Sequence, residues 1–355
     1  MTMDTMDRSM NPFLGTRWPL IQAPMAGAQG ARLARAVGEA GAMGSLPAAM
    51  LDAATLAREL QALQDAGRPY LVNFFAHVPP SDEAAAAAEP RWRAALAPYH
   101  AELGLDPAAA VAAPSRQPFG PAAAEVLEAF RPALVSFHFG LPAPELLARV
   151  KRLGARVLSS ATTLREAQWL QANGADAVIA QGLEAGGHRG HFLDTDPARQ
   201  SGTLTLLPQL VAALDIPVIA AGGIADAAGV RAAMALGAAA VQVGTAFLCC
   251  DEASTGALHR ARLLRDPAEP TALTNLFSGG LARGLPNRLM RDLGPVADVA
   301  PPFPLASNAL APLRARAESL GRDDFTPLWS GTNRAGCRAV PAAEVVRALA
   351  AGFDA

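Results

Sequence analysis

The stretch of the chain richest in chemistry is Gln181-Gly182-Leu183-Glu184-Ala185-Gly186-Gly187-His188-Arg189-Gly190-His191. A histidine titrates near neutrality, so His188 can act as acid or base, or place positive charge beside an anion. Glycines at 186 and 187 leave space for a flat ligand to lie close to the backbone. The alternative for any single histidine is an exposed loop residue; the glycines around His188 favour chemistry. His188 and His191 also form a His-x-x-His pair, with Glu184 as a third potential metal ligand. No closed set of cysteines and histidines accompanies them, so no metal is expected and His191 reads as a loop residue. A further histidine, His138, sits in Val135-Ser136-Phe137-His138-Phe139-Gly140. It either packs between aromatics or lines a pocket, and the pocket role is favoured.

Two glycine turns carry a second signal. One is Ala220-Ala221-Gly222-Gly223-Ile224, leading into a helix at Asp226; the other is Gln242-Val243-Gly244-Thr245. Glycines let backbone N–H groups approach a phosphate, and a helix N-terminus adds a favourable dipole. The Thr245 hydroxyl can donate a further hydrogen bond. Tight turns alone would account for one such loop. Two of them, at the ends of consecutive apolar segments, predict a phosphate site.

The elements that must hold these residues follow from the pattern of apolar runs. Short runs at 20–23, 42–46, 70–74, 134–137, 156–160, 177–180, 218–221 and 240–243 are mostly apolar throughout, as parallel strands buried on both faces are. Between them, residues 31–40, 53–65, 144–153, 164–173 and 227–236 space their apolar residues as helices do, and several end at a glycine: Gly41, Gly154, Gly174 and Gly237. Residues 341–350 read as a closing helix. Eight β/α units predict a (β/α)8 TIM barrel; a doubly wound open sheet is the competing architecture. In a barrel, His138, His188 and both glycine turns fall at the C-terminal mouth, with the phosphate loops after the last two strands. Two segments break the rhythm. Residues 76–120 are rich in Ala and Pro, and residues 268–335 are irregular with Pro301-Pro302. The expected organisation is therefore a barrel from 1–75, 121–267 and 336–355, with 76–120 and 268–335 forming a lid or substrate-binding region over the mouth.

Composition bounds the function. The chain has 355 residues, 51% of them hydrophobic, enough for one barrel with insertions and a sizeable core. A formal charge of −2 gives no footprint for nucleic acid or an anionic membrane. Lys151 is the sole lysine and falls in an amphipathic stretch, which argues against Schiff-base chemistry. Cys249, Cys250 and Cys337 show no repeated spacing, as fits a reducing compartment rather than a disulfide framework. The start lacks a signal-peptide core, and the most apolar run, 216–224, falls far short of a bilayer span. A cytoplasmic, soluble protein is expected.

Together these motifs resemble the nitronate monooxygenases, formerly 2-nitropropane dioxygenases. The resemblance rests on Gln22-Ala23-Pro24-Met25-Ala26-Gly27, the Val-Ser-Phe-His-Phe-Gly stretch, Glu184-Ala-Gly-Gly-His188-Arg-Gly, the Ala-Ala-Gly-Gly-Ile turn and Gln-Val-Gly-Thr. Ser278-Gly279-Gly280-Leu281-Ala282-Arg283, followed by Asn287, looks like a further motif of the class I group. It covers about residues 12–335. The Glu-Ala-Gly-Gly-His block is shared with related enoyl and quinone reductases, whereas the His138 and Ser278–Asn287 motifs favour class I. The resemblance implies a non-covalent FMN. Met25, Asn73, Gln181, Gly186 and Gly187 would meet the flavin, and Gly222, Gly223, Gln242, Gly244 and Thr245 its phosphate. His188 matches the family's catalytic histidine, with His138, Ser278 and Arg283 around the substrate. The implied reaction is oxidation of an alkyl nitronate, such as propionate 3-nitronate, by O2 to a carbonyl compound and nitrite. The partners implied are small molecules only, with a homodimer left open. The class I pocket tyrosines and lid lysine have no match here: the tyrosines are Tyr70 and Tyr99, and the lid offers Trp329, Ser330, Asn333 and Arg334. An arginine can replace the lysine as an anion anchor, with different geometry.

Two alternatives differ in what they predict. An NAD(P)H-dependent reductase of a quinone or enoyl thioester uses the same fold; no Gly-x-Gly-x-x-Gly fingerprint supports it, although nicotinamide can bind without one. A barrel binding a phosphorylated metabolite without redox chemistry would be colourless.

Overall fold

The computed structural model describes residues 10–106, 116–266 and 268–353; the remaining parts of the spans assigned above lie outside the described residues. The chain begins with β1 (Leu20–Gln22), α1 (Ala31–Glu39), β2 (Gly44–Pro47), α2 (Ala53–Asp65) and β3 (Tyr70–Phe75). The helices α3 (Asp82–Leu103) and α4 (Pro121–Phe130) separate β3 from β4 (Leu134–His138). Alternation resumes with α5 (Pro144–Arg152), β5 (Arg156–Ala161), α6 (Leu164–Ala172) and β6 (Ala177–Gln181). A two-residue strand, β7 (Gly187–His188), precedes α7 (Thr203–Ala213), β8 (Val218–Ala221), α8 (Ala227–Ala235) and β9 (Ala240–Val243). After α9 (Ala257–Arg265) come β10 (Ala272–Thr274), β11 (Ala282–Gly284), α10 (Arg288–Leu293), α11 (Ala306–Ser319) and α12 (Ala342–Ala350).

Eight parallel strands pair in the order β1-β9-β8-β6-β5-β4-β3-β2. A parallel bridge between Ile21 and Met43 joins the two ends of that order, so the sheet closes into a (β/α)8 barrel. The open doubly wound sheet is thereby excluded. The helices form where apolar stripes recur and stop where the backbone turns left-handed. Thr163 caps α6 by accepting from the Glu166 N–H at 3.2 Å, and Gly174, at φ 97°, ends it in a conformation that costs glycine nothing. Helix α12 packs between α8 and α1, completing the outer ring. Two ring helices, α4 and α7, fall outside the stretches read as helical from sequence; Pro208 lies inside α7, and a long loop separates it from β6.

Side chains alternate in and out along each strand, and this places the site. Leu71, Leu134, Leu158, Ile179 and Ala240 fill the barrel interior, with Leu14 closing its lower end. Two residues further along the same strands, Asn73, Ser136, Ser160, Gln181 and Gln242 also point inward. Two further again, Phe75 and His138 reach the mouth. The lower barrel is thus apolar and the upper rim polar, from one period of two.

A separate apolar cluster stands above the mouth. Trp92, Leu96, Tyr99 and Leu103 of α3 pack with Leu289 and Met290 of α10, Leu310 and Leu313 of α11, and Phe325. The Trp92 indole donates to the Ala306 carbonyl at 3.0 Å, and Arg288 forks onto Glu102 at 2.7 and 2.8 Å. The two irregular segments therefore pack against one another. A small antiparallel sheet, β10-β11-β7, links this unit to the Gly-Gly-His loop, pairing Ala282 with His188 and Arg283 with Gly187. No helix among the described residues is long and apolar enough to cross a membrane. Lys151 pairs with Asp176 at 2.8 Å on the outside of the barrel.

Candidate active site

A cavity of about 460 Å³ opens at the C-terminal ends of the strands. His188 lines it. The residue belongs to β7, so its backbone is held by β11, and its carbonyl accepts from Gln181 Nε2 at 2.9 Å and pairs with His138 Nε2 at 3.1 Å. On the ring, Nε2 lies 2.8 Å from Ser278 Oγ. Among the described residues Nδ1 has no partner, on a ring that faces the cavity. Four aromatic rings surround the imidazole: Phe303 at 5.2 Å, Trp329 at 5.5 Å, and Phe75 and Phe139 each at 6.1 Å. Removal from water is the main reason that His188 is held well below the ordinary histidine value, and the Arg116 charge adds to it. The ring is neutral at physiological pH.

The second histidine has a different occupation. His138 Nδ1 lies 3.0 Å from Ser160 Oγ and Nε2 meets the His188 carbonyl. A neutral ring with Nε2–H and an Nδ1 lone pair satisfies both, and burial lowers His138 to about 4 in agreement. His138 lines the cavity, but both nitrogens are spent on positioning. Gly190 must be glycine for this strut to form, since a Cβ there would sit 2.8 Å from His138 Cε1. Beneath the loop, the fully buried Arg189 donates to the carbonyls of Gln181 and Gly182 and to Gln200 Oε1, each at 2.8 Å.

The two glycine turns border the same loop: a Cβ on Gly222 would stand 3.0 Å from the Ala185 nitrogen. Gly222 (φ 118°) and Gly223 (φ 73°) adopt a backbone that favours glycine, and the N–H groups of Gly223 and Ile224 find no acceptor among the described residues. Residues 330–333 lie across this end. Thr245 Oγ1 accepts from the Gly331 N–H at 2.9 Å, which leaves the hydroxyl proton available, and Asn333 donates to the Gly223 carbonyl at 2.9 Å. Gly186 fits under this segment because a Cβ there would come within 2.4 Å of the Gly331 nitrogen. Close packing, rather than room for a ligand, requires glycine at 186. Among the described residues, no group of His, Cys, Asp or Glu side chains could hold a metal ion.

The structure brings Met25, Asn73, Gln181, Gly186, Gly187, Gly222, Gly223, Gln242, Gly244 and Thr245 to this one cavity, together with His138 and His188. Ser278 touches it through His188. Arg283 does not line it. Strand β11 turns its guanidinium onto the Leu183 carbonyl at 2.7 Å and onto Thr271, so it braces the loop from behind. Trp329, Ser330 and Asn333 line the cavity, whereas Arg334 is buried on the Asp266 and Glu269 carbonyls and cannot serve as an anion anchor. Two arginines not anticipated from sequence, Arg116 and Arg314, line it instead. Phe75, Phe139 and Phe303 were also missed as neighbours of His188. Phe139 carried a signal, being next to His138 and before Gly140, and its φ of 70° is unusual for a bulky residue.

The nitronate monooxygenase family model matches residues 8–352. A nitronate monooxygenase of Pseudomonas aeruginosa is 42% identical, over 95% of this chain and 96% of the relative. Another from Paraburkholderia phytofirmans is 42% identical, over 98% and 96%. Among solved structures, a nitroalkane oxidase from Streptomyces ansochromogenes is 39% identical, with a TM-score of 0.85 over 96% of each chain. FabK from Thermotoga maritima, at 24% identity and a TM-score of 0.72, covers 99% of this chain and 97% of that one, and shares the fold. The chain belongs to the nitronate monooxygenase family.

Proposed function

We propose that the protein binds FMN and oxidises alkyl nitronates with O2 to a carbonyl compound and nitrite. The observation that carries this is a buried His188 whose Nδ1 has no partner among the described residues, in the same cavity as two glycine turns. The residues fit the cofactor. Among the described residues, Gln242 Oε1 is buried in the cavity wall without a partner and could accept from a cofactor N–H, the Gly223 and Ile224 amides have no acceptor, and Asn73 donates to Ser136 Oγ at 2.9 Å with no donor on its Oδ1. The volume lies in the range of mononucleotide-sized pockets. Gly222, Gly223, Gln242, Gly244 and Thr245 would hold the phosphate; Met25, Asn73, Gln181, Gly186 and Gly187 would border the ring system. FMN, when bound, supplies the electron acceptor and the reactivity toward O2.

The protein's own part is orientation and proton control. Ser278 is a hydroxyl that can donate or accept. When it accepts from Nε2–H, the Nδ1 lone pair can take the α-proton of a neutral nitroalkane, leaving the nitronate anion. When Ser278 donates to Nε2, Nδ1 carries the proton and can hold a nitronate oxygen. The four rings around His188 exclude water from the reacting carbon.

Purified protein should show flavin absorbance and consume O2 with ethyl nitronate in the absence of NADH and NADPH. Rapid anaerobic bleaching by NADH or NADPH, without nitronate turnover, would instead support a reductase. A colourless protein would point to the non-redox alternative.

A substitution tests the cradle separately. Gly223→Val together with Thr245→Val should lower FMN affinity by about tenfold or more. Valine is strained at φ 73°, its Cβ would stand 3.3 Å from Glu184 Cβ, and the threonine hydroxyl is lost. Flavin content after dialysis is the measurement; unchanged occupancy in a folded double variant would rule out the assigned phosphate site.

A further inference from the structure

Arg116 stands apart from the other arginines held wholly or partly out of water. Arg262 is paired with Asp323 and Glu269, Arg189 spends its guanidinium on three oxygens, and Arg334 and Arg283 rest on carbonyls. Arg116 lines the cavity with one protein acceptor among the described residues, Ser307 Oγ at 3.1 Å. Ser307 in turn donates to the Pro304 carbonyl at 3.0 Å, so its oxygen is committed as an acceptor for Arg116. No carboxylate among the described residues forms an ion pair with it. The same connection runs to the catalytic histidine. Pro304 follows Phe303, whose ring is 5.2 Å from His188 and 4.8 Å from His77. A cation taken largely out of water, with one of five donors used among the described residues, is costly unless an anion completes it.

We propose that Arg116 is the receptor for the substrate's planar two-oxygen anion, held on the His188 side of the cavity. This rests on the nitronate reading above for its substrate, but not for its anion chemistry. The guanidinium fork matches two coplanar oxygens. It also supplies the positive charge that His188 cannot: burial depresses His188 and His77, the latter to about 4, and the guanidinium adds to both effects. The division of labour is then clear. Arg116 binds and orients the anion, while His188 remains neutral and free to exchange a proton through Nδ1. Arg314, the other arginine on the cavity wall, is neutralised by Glu318 at 2.7 Å and does not compete for this role.

The test uses the flavin-loaded protein and two probes, ethyl nitronate in steady-state turnover and nitrate in calorimetry. In Arg116→Gln, the KM for ethyl nitronate should rise by at least tenfold with kcat reduced far less, and nitrate affinity should fall by a similar factor. Arg116→Lys should recover part of the affinity, since it keeps the charge and loses the fork. Ser307→Ala, a milder change, should raise KM by a few-fold by releasing the guanidinium. Unchanged KM in folded Arg116→Gln would overturn the proposal. If the wild-type protein does not turn over nitronates, nitrate decides: affinity dependent on Arg116 keeps the anion receptor while the nitronate reading falls, and affinity independent of it sinks the receptor.

Discussion

His188→Asn is expected to keep the flavin and to lower kcat with nitronates by about 10²- to 10⁴-fold. The imidazole has an Nδ1 with no partner among the described residues, on a ring that can both give and take a proton, and Ser278 at 2.8 Å allows either tautomer. An amide of similar width cannot exchange a proton near neutrality. Flavin retention should be little affected, because the proposed phosphate contacts come from the glycine turns and Thr245 and not from the imidazole. Ser278→Ala should produce a smaller loss, since it frees the ring without removing it. The pH profile gives an independent check. Burial keeps His188 deprotonated well below the ordinary histidine value, so kcat/KM should stay level from neutrality upward and decline on the acid side. A protonated catalytic histidine would give the opposite limb, with activity lost as pH rises through about 6.5. Folding is linked in the same sense. His138 and His77 are held down to about 4, so the stability from their neutral burial is present above the unfolded value and is lost as pH falls toward 4. Wild-type turnover in His188→Asn, or a rate lost as pH rises through the ordinary histidine range, would remove the residue from the mechanism.

The barrel was readable because its signals are local. Each strand is a short apolar run, each turn has its glycine, and parallel strands buried on both faces leave little ambiguity. The same locality exposed the loop at 181–191 and both glycine turns, since a mononucleotide is bound by backbone at strand ends. What escaped depends on contacts distant in sequence. Strand β7 is two residues long and exists because β11, about ninety residues later, pairs with it. Nothing near His188 announces that partner. Arg116 shows the same limit: it lies in a Pro-rich stretch with no periodicity, and it acquires meaning from Ser307 and the cavity that folds around it. Arg283 illustrates the converse. Its place in a motif near the pocket was visible, but the pleat of β11 decides where its side chain goes, and it goes to the Leu183 carbonyl.

Arg189→Met is expected to cost about 3–5 kcal/mol of stability and to reduce turnover, although Arg189 does not line the cavity. The side chain is fully buried, and removing its charge would leave the carbonyls of Gln181 and Gly182 and the Gln200 amide oxygen without their donors. Buried acceptors stripped of partners are costly individually, and these three share one loop. Their loss also bears on geometry. Gln181 holds the His188 carbonyl with Nε2 and the Gly190 N–H with Oε1 at 2.7 Å, so slack at the Gln181 backbone transfers directly to the His188 ring. Burial lowers Arg189 to about 10, still well above neutrality, so the clamp stays charged across the working pH range. Arg189→Lys should restore only part of both losses, because an ammonium cannot span three acceptors in one plane as the guanidinium does. Melting temperature and kcat measured together separate the two consequences. A methionine variant that melts with the wild type and turns over at its rate would mean that β11 and His138 suffice to hold His188 in place, and that the buried cation is dispensable.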